Sequence, residues 1–199
     1  MLKDRTPTDS GYEARSGRRK AMGLGDAVVR RTNQPPQLKE MGGVLSHVCT
    51  GMAVITGHDG CHPIGFLPGP LAAVSVHPAY VSFRPSRSAA IWPLIRATGR
   101  MCINILAAGQ ESVGARFTRR SGNSFADIDW SPAANGTPRL HHCAATIEAD
   151  LEFEHGTGDD MLVMAYVTAA QAHGRTVLRP PQGLQSTFTT HSALLDPAS

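Results

Sequence analysis

The chain has 199 residues, of which 41% are hydrophobic and 18% charged, with 19 Lys and Arg against 16 Asp and Glu. That length fits one domain with a substantial core, or one domain plus a tail. The formal net charge of +3 is too small for a nucleic-acid-binding surface, and no run approaches the ~18 apolar residues of a spanning helix, so a soluble protein with neither nucleic acid nor membrane as partner is expected.

Residues 1–36 are polar and end in Asn33, Gln34, Pro35 and Pro36. Such a composition buries too little surface to order itself, which predicts a flexible N-terminal arm. Its basic pieces, RSGRRK (15–20) and Arg30-Arg31, read as solvated charge, and no apolar stretch there has the length of a signal peptide. The folded domain is predicted over 37–190, with a tail over 191–199. Leu38, Met41, Leu45 and Val48 recur at helical spacing, so 37–48 reads as a helix despite Gly42-Gly43.

GMAVIT (51–56) reads as a strand, and GHDG (57–60) as a hairpin turn before CHPIGF. GFLPGP (65–70) follows, a stiff bend poor in hydrogen-bond donors because proline has no N–H. LAAVSV (71–76) and AYVSFR (79–84) are two short strands separated by His77-Pro78. In WPLIRATGR (92–100), Pro93 stands where a first helical turn tolerates proline and Gly99 where a helix stops. RMCINIL (100–106) returns to strand, and GQESVGARF (109–117) carries Val113 and Phe117 four apart on a short helix. The stretch 145–169 reads as a β-hairpin with a Gly-rich turn. Short strands with a few brief helices predict a mainly β fold, a barrel with helical covers.

Several chemical signals have bland readings. Cys49, Cys61, Cys102 and Cys143 lack C-x-x-C spacing, which predicts reduced thiols and a cytoplasmic location. His141-His142-Cys143 invites a metal, but neighbours on a strand point to opposite faces, and no metal is expected. His58, His62 and His155 sit beside turns and read as solvated. Glu148, Asp150, Glu152 and Glu154 alternate along one strand and read as a solvent-facing stripe. Ser86 and Ser88 have no local His to activate them as nucleophiles, Trp92 and Trp130 read as packing anchors, and no G-x-G-x-x-G lies between a strand and a helix.

From about Leu38 to Ala169 the order of elements resembles the flavin reductase-like family with the FMN-binding split β-barrel fold. The resemblance is carried by CTGMAVIT (49–56), PIGF (63–66), VSVHPAYVSF (74–83), IRATGRMCINILAAGQESVGARF (95–117), FADIDW (125–130) and GTPRL (136–140). It implies an NAD(P)H-dependent reductase of FMN or FAD that supplies a partner monooxygenase, and a homodimer with flavin between subunits. In that comparison Phe66, Leu67, Pro68, Gly69 and Pro70 form the bend against the flavin ring, and Arg84, Ser86, Arg87 and Ser88 the phosphate loop. Asn104, Arg116 and Phe117 are further cofactor-site candidates, and Asp160 is the catalytic candidate.

The resemblance also implies departures on the cofactor side. Gly69-Pro70 replaces a small polar pair, Ala89 and Ile91 stand where relatives carry hydroxyls, Gly158-Asp159-Asp160 stands for Gly-Asp-His, and LRPPQGLQSTF (178–188) replaces a closing aromatic-Arg-Gly-x-Tyr. Two lost charge-assisted hydrogen bonds at about 1.5–3 kcal/mol each would weaken flavin by roughly two to four decades. Two alternatives therefore stand beside the reductase. One is a repurposed, cofactor-free barrel that binds or transforms a small apolar metabolite of a biosynthetic pathway, walled by Leu67, Pro68, Pro70 and Leu71 with Asp160 as acid or base. The other is a non-enzymatic subunit supporting a monooxygenase.

Overall fold

The computed structural model describes residues 38–48, 50–69, 71–118, 124–157 and 159–180. The predicted arm (1–36), the tail (191–199), the far end of the domain toward 190, and Cys49, Pro70 and Gly158 lie outside the described residues. Helix α1 (Leu38–Val48) is followed by strands β1 (Ala53–His58), β2 (Pro63–Phe66), β3 (Leu71–Val76) and β4 (Ala79–Phe83). Next come α2 (Trp92–Thr98), β5 (Arg100–Ile105), α3 (Glu111–Thr118), β6 (Trp130–Pro132), β7 (Pro138–Leu140), β8 (Ala145–Thr157) and β9 (Asp160–Ala172).

Seven strands form one antiparallel sheet in the order β2-β1-β5-β8-β9-β4-β3, and β6 and β7 form a small second sheet. The edge strands β2 and β3 are consecutive in sequence, joined by residues 67–70 alone. Five extended residue steps span at most ~18 Å, so the two edges must approach each other and the sheet curls into a barrel with a seam. Contact across that seam is direct: Phe66 on β2 stands 6.5 Å from Phe83 on β4 and 6.3 Å from Trp92, centroid to centroid. This is the split barrel that the resemblance implies.

The curl explains which residues are apolar. β1 and β5 are buried on both faces, because one face lines the barrel and the other is covered. Ile55, Ile103 and Ile105 point into the main core with Val81, Phe83, Ile147, Val163 and Ala165, and α1 adds Met41, Val44, Leu45 and Val48. On the opposite face Val54 meets Leu106, Phe117, Phe125, Leu140, Cys143 and Leu178 in a second cluster. Such burial is worth roughly 25 cal/mol per Å² of apolar surface, and it selects the strand register, since a one-residue slip would exchange the two faces.

Local chemistry sets the ends of the elements. Gly99, at φ 69°, closes α2 with its N–H shared between the carbonyls of Arg96 and Ile95, a left-handed cap that glycine adopts without a Cβ clash. Asp59 accepts from the backbone N–H of both Cys61 and His62, so the first hairpin turn sits at 59–62, two residues later than GHDG predicts. The acidic stripe on β8 is half-buried, contrary to the solvent-facing expectation. Glu148 accepts from the N–H groups of Ala134 and Asn135, Glu154 pairs with Arg96 at 2.7 Å, and β-bulges at Glu148/Ala149 and Leu151/Phe153 shift the register along the strand. His141 and His142 lie in a turn rather than on a strand, His142 at φ 63°.

Candidate functional site

The bend, the loop after β4 and the start of β9 meet at the seam of the barrel. Gly69 adopts φ 74°, and a Cβ there would lie 3.5 Å from the Arg84 carbonyl oxygen, so the bend runs against the first residue after β4. Phe66 is buried in the main core, Leu67 is packed against the second cluster, and Pro68 is buried. Alternate residues thus anchor the bend on both sides of the sheet and leave Gly69 exposed.

The loop 84–88 is tied to β9 by main chain. Met161 donates its N–H to the Pro85 carbonyl at 2.9 Å, Arg87 donates its N–H to the Asp159 carbonyl at 2.9 Å, and Ser86 bridges Asp160. Ser88 N–H reaches Ser86 Oγ at 3.3 Å, and the two serine hydroxyls bond each other at 2.9 Å. These bonds fix the loop while leaving Ser86, Arg87 and Ser88 exposed. Arg84 Nη2 stands 3.8 Å from Asp160 Oδ2, both side chains being about two-fifths exposed (36% and 43%), a pairing worth little once water screens it.

Arg87 has no carboxylate within ion-pair distance among the described residues. Its guanidinium lies over Gly156 of β8 so closely that a Cβ there would collide with Nη2. Gly156 and Asp159 thus belong to this cluster; Asp159 enters the sequence reading only within Gly158-Asp159-Asp160, and the only signal for Gly156 is a glycine two residues before the turn. A buried donor with no hydrogen-bond partner among the described residues also stands nearby, Trp92 Nε1, on the ring that packs against Phe66 and Phe83.

Ala89 and Ile91, where the resemblance implies hydroxyls in relatives, are partly buried and packed against the main core. Pro70, the remaining member of the bend, lies outside the described residues.

Asn104, Arg116 and Phe117 are not brought to this cluster. Asn104 is fully buried on the covered face of β5. Its Nδ2 donates to Thr56 Oγ1 at 3.0 Å and Val54 O at 3.2 Å, and its Oδ1 accepts from Leu140 N–H at 2.9 Å. Thr56 in turn donates to the carbonyls of Cys102 and Pro138, so the pair fastens β7 across β1 and β5. Burial pushes the neighbouring Cys102 thiol far up. Arg116 donates to the Ala126 carbonyl and to Asp127 Oδ2, the latter at 3.4 Å. Phe117 packs edge-on to Phe125 at 5.3 Å and rests on Gly65, where a Cβ would come within 2.8 Å of its ring. Phe117 thus backs β2 from behind, while Asn104 holds β7 to the sheet and Arg116 holds the segment 126–127.

Other features lie apart. Asp150, across from Arg100 on β5, has its carboxyl pushed up first by burial, against the Arg100 charge. Among the described residues no group of three His, Cys, Asp or Glu side chains is placed to hold a metal ion, and no helix is long and apolar enough to cross a membrane.

Residues 45–182 match the model of the flavin reductase like domain. The chain is 37% identical over 126 residues to the reductase subunit HsaB of a flavin-dependent monooxygenase from Rhodococcus jostii, covering 63% of this chain and 65% of that subunit. It is 31% identical over 126 residues to the FMN reductase (NADH) SmoA of Agrobacterium fabrum, covering 63% of this chain and 72% of the relative. Among solved structures, nitrilotriacetate monooxygenase component B from Mycobacterium thermoresistibile superposes with a TM-score of 0.61 at 36% identity, covering 69% of this chain and 75% of that one. The match thus spans slightly less than two thirds of the Rhodococcus subunit's own length.

Proposed function

The chain belongs to the flavin reductase-like domain family, and we propose that it acts there as an NAD(P)H-dependent reductase of FMN or FAD, feeding reduced flavin to a monooxygenase component. The relatives' names support this reading over a flavin-independent barrel, since both sequence relatives are named as reductases, one of them using NADH. The observation that carries it is the loop 84–88. Its main chain is locked onto β9 while Arg87, Ser86 and Ser88 face outward beside the seam, without a carboxylate to neutralise Arg87 among the described residues.

The residues present fit a phosphate-bearing flavin. A guanidinium fork and two hydroxyls suit a phosphate, the bend from Phe66 to Pro68 offers an apolar wall, and beside it Trp92 Nε1 is a buried donor without a partner among the described residues. When bound, flavin supplies the hydride chemistry with NAD(P)H, and the protein supplies orientation and solvent exclusion. Ser86, Arg87 and Ser88 would hold the phosphate, and Gly69 would let the backbone approach the ring. Asp160 would not act as a free base but hold Arg84 at the mouth. Phe117 would support the bend from behind through Gly65.

The same reading includes a homodimer and a cytoplasmic location. Phe153 (42% exposed) and Leu162 (36% exposed) share one face near the β8–β9 turn, an apolar patch that supports self-association. The free thiol of exposed Cys61 supports a reducing compartment.

The experiment is a titration of the purified protein with FMN and FAD, followed by NADH and NADPH oxidation with each flavin. Saturable binding with turnover is expected. Arg87→Gln should weaken the preferred flavin about 10- to 100-fold, the loss of one charge-assisted contact. A protein that binds neither flavin and oxidises neither nucleotide would sink the reading.

A further inference from the structure

At the far end of β9 the structure opens a second cleft of about 540 Å³, lined by Arg139, Leu140, His141, His142, Cys143, Gln171, His173 and Arg175. β9 runs 13 residues from Asp160 at the seam to Ala172 at this cleft, as much as ~40 Å of strand. One small ligand does not fill both places on the same chain.

Among the described residues the lining holds two arginines and three histidines and no Asp or Glu. Among the described residues neither arginine is within ion-pair distance of a carboxylate. Arg139 Nη2 donates to Ser131 Oγ at 3.4 Å, and Arg175 Nη2 meets His142 Nδ1 at 3.5 Å. The one acidic hydrogen in the lining stays in place, because burial pushes the Cys143 thiol up to about 12. Like charges gathered without a counter-ion repel one another, and the field they create draws an anion in. His173 registers that field: burial first, then Arg139 and Arg175, holds its imidazole below the usual value.

We propose that this cleft is an anion-binding site, separate from the seam, that takes a phosphate-bearing small molecule of up to nucleotide size. Two guanidinium forks match phosphate oxygens in number and geometry, the imidazoles and the Gln171 amide add donors, and Leu140 supplies an apolar wall. The volume lies within the ~300–1,000 Å³ typical of small-molecule sites.

The test is calorimetric titration of the full chain carrying Arg87→Gln, which removes the seam-loop cation that has no carboxylate within ion-pair distance among the described residues, with inorganic phosphate, pyrophosphate and AMP. Saturable binding of at least one is expected. Arg139→Gln or Arg175→Gln added to that chain should weaken it about 10- to 100-fold, with Arg175→Lys losing less than Arg175→Gln. Arg175 is exposed, so its substitution leaves the fold intact even where Arg139→Gln does not. AMP binding more tightly than phosphate would identify a phosphate ester, and equal affinities free phosphate; both support the site. No saturable binding in the Arg87→Gln chain, or binding indifferent to Arg175, overturns it. Neither result bears on flavin reduction, which the separate flavin titration decides.

Discussion

Replacing Asn104 by Leu separates a structural role from a ligand-binding one. The side chains are similar in size, so the change removes polar contacts without opening a large cavity. It strands the buried Leu140 N–H, now bonded to Oδ1 at 2.9 Å, and removes the donations to Val54 O at 3.2 Å and Thr56 Oγ1 at 3.0 Å. One orphaned buried N–H costs about 1–3 kcal/mol and each lost neutral bond about 0.5–1.5 kcal/mol. Thr56 keeps its own donations to Cys102 O and Pro138 O, and the new methyl groups recover part of the loss by apolar burial, so the net cost is about 2–4 kcal/mol. For a chain of this size that lowers Tm by roughly 4–16 °C. The assay is a thermal melt paired with a flavin titration carried out well below both midpoints. A large fall in Tm with flavin affinity within about threefold of the parent is expected. An unchanged Tm with flavin binding weakened tenfold or more would refute the reasoning and place Asn104 against the ligand.

Gly156→Ala should cost little stability, because the group displaced is the far end of a flexible arginine, whose Nη2 stands where the new Cβ would go. It should weaken flavin about 10-fold by dislodging Arg87, and an unchanged flavin Kd would remove Arg87 from the site. His173, held below 6.5 by burial and then by Arg139 and Arg175, takes up its proton less readily folded than unfolded. Its contribution to stability is therefore complete above about pH 6.5 and declines as pH falls from there toward the lowered folded value. Urea midpoints of the parent and His173→Gln should converge or cross on going from pH 7.5 to 5.5, and a constant gap would contradict the shift. Thiol labelling should modify exposed Cys61 rapidly and leave buried Cys102 and Cys143 to unfolding conditions; labelling of Cys143 in the native protein at the rate of Cys61 would contradict its burial.

The elements most legible in the sequence were those with a strong period and a chemical stop. LAAVSV is β3 over the same residues, and α2 begins and ends where Pro93 and Gly99 indicate. The predicted helix over 37–48 is α1 from Leu38, its apolar spacing outweighing Gly42-Gly43. The late hairpin runs three residues past the predicted 169, to Ala172, because Ala170, Gln171 and Ala172 carry no β-branched or aromatic signal while their pairing with 145–147 holds them in the ladder. β6 and β7 were not legible, since three residues each, with a proline in both, are too short for any period to register. The acidic stripe misled for a related reason: alternation on a strand tells which residues share a face, but the turn at 134–135 that covers part of that face comes from another part of the chain.

The candidate site was legible as two segments and not as a place. The bend and the loop were picked out through the family resemblance, which grouped Asn104, Arg116 and Phe117 with them; these three lie on the covered side of the sheet. Strand order is what divides them. β2 and β3 are neighbours in sequence, and a short connection between two strands ordinarily makes a hairpin. Here they are opposite edges of the same sheet. Pro68 and Pro70 suit that arrangement, for a connection that lacks two N–H groups is poorly equipped to close a ladder, while a glycine at φ 74° turns the chain between them. The barrel is consequently held at this point by side chains, Phe66 against Phe83 and Trp92, and not by a continuous run of hydrogen bonds between its first and last strands. A seam of that kind leaves backbone accessible next to an apolar wall. The loop 84–88, pinned to β9 by its main chain, brings two hydroxyls and a guanidinium without a carboxylate partner among the described residues to the same opening. The candidate site at the seam is thus a place made by how the sheet closes, with an apolar wall on one side and Ser86, Arg87 and Ser88 exposed on the other.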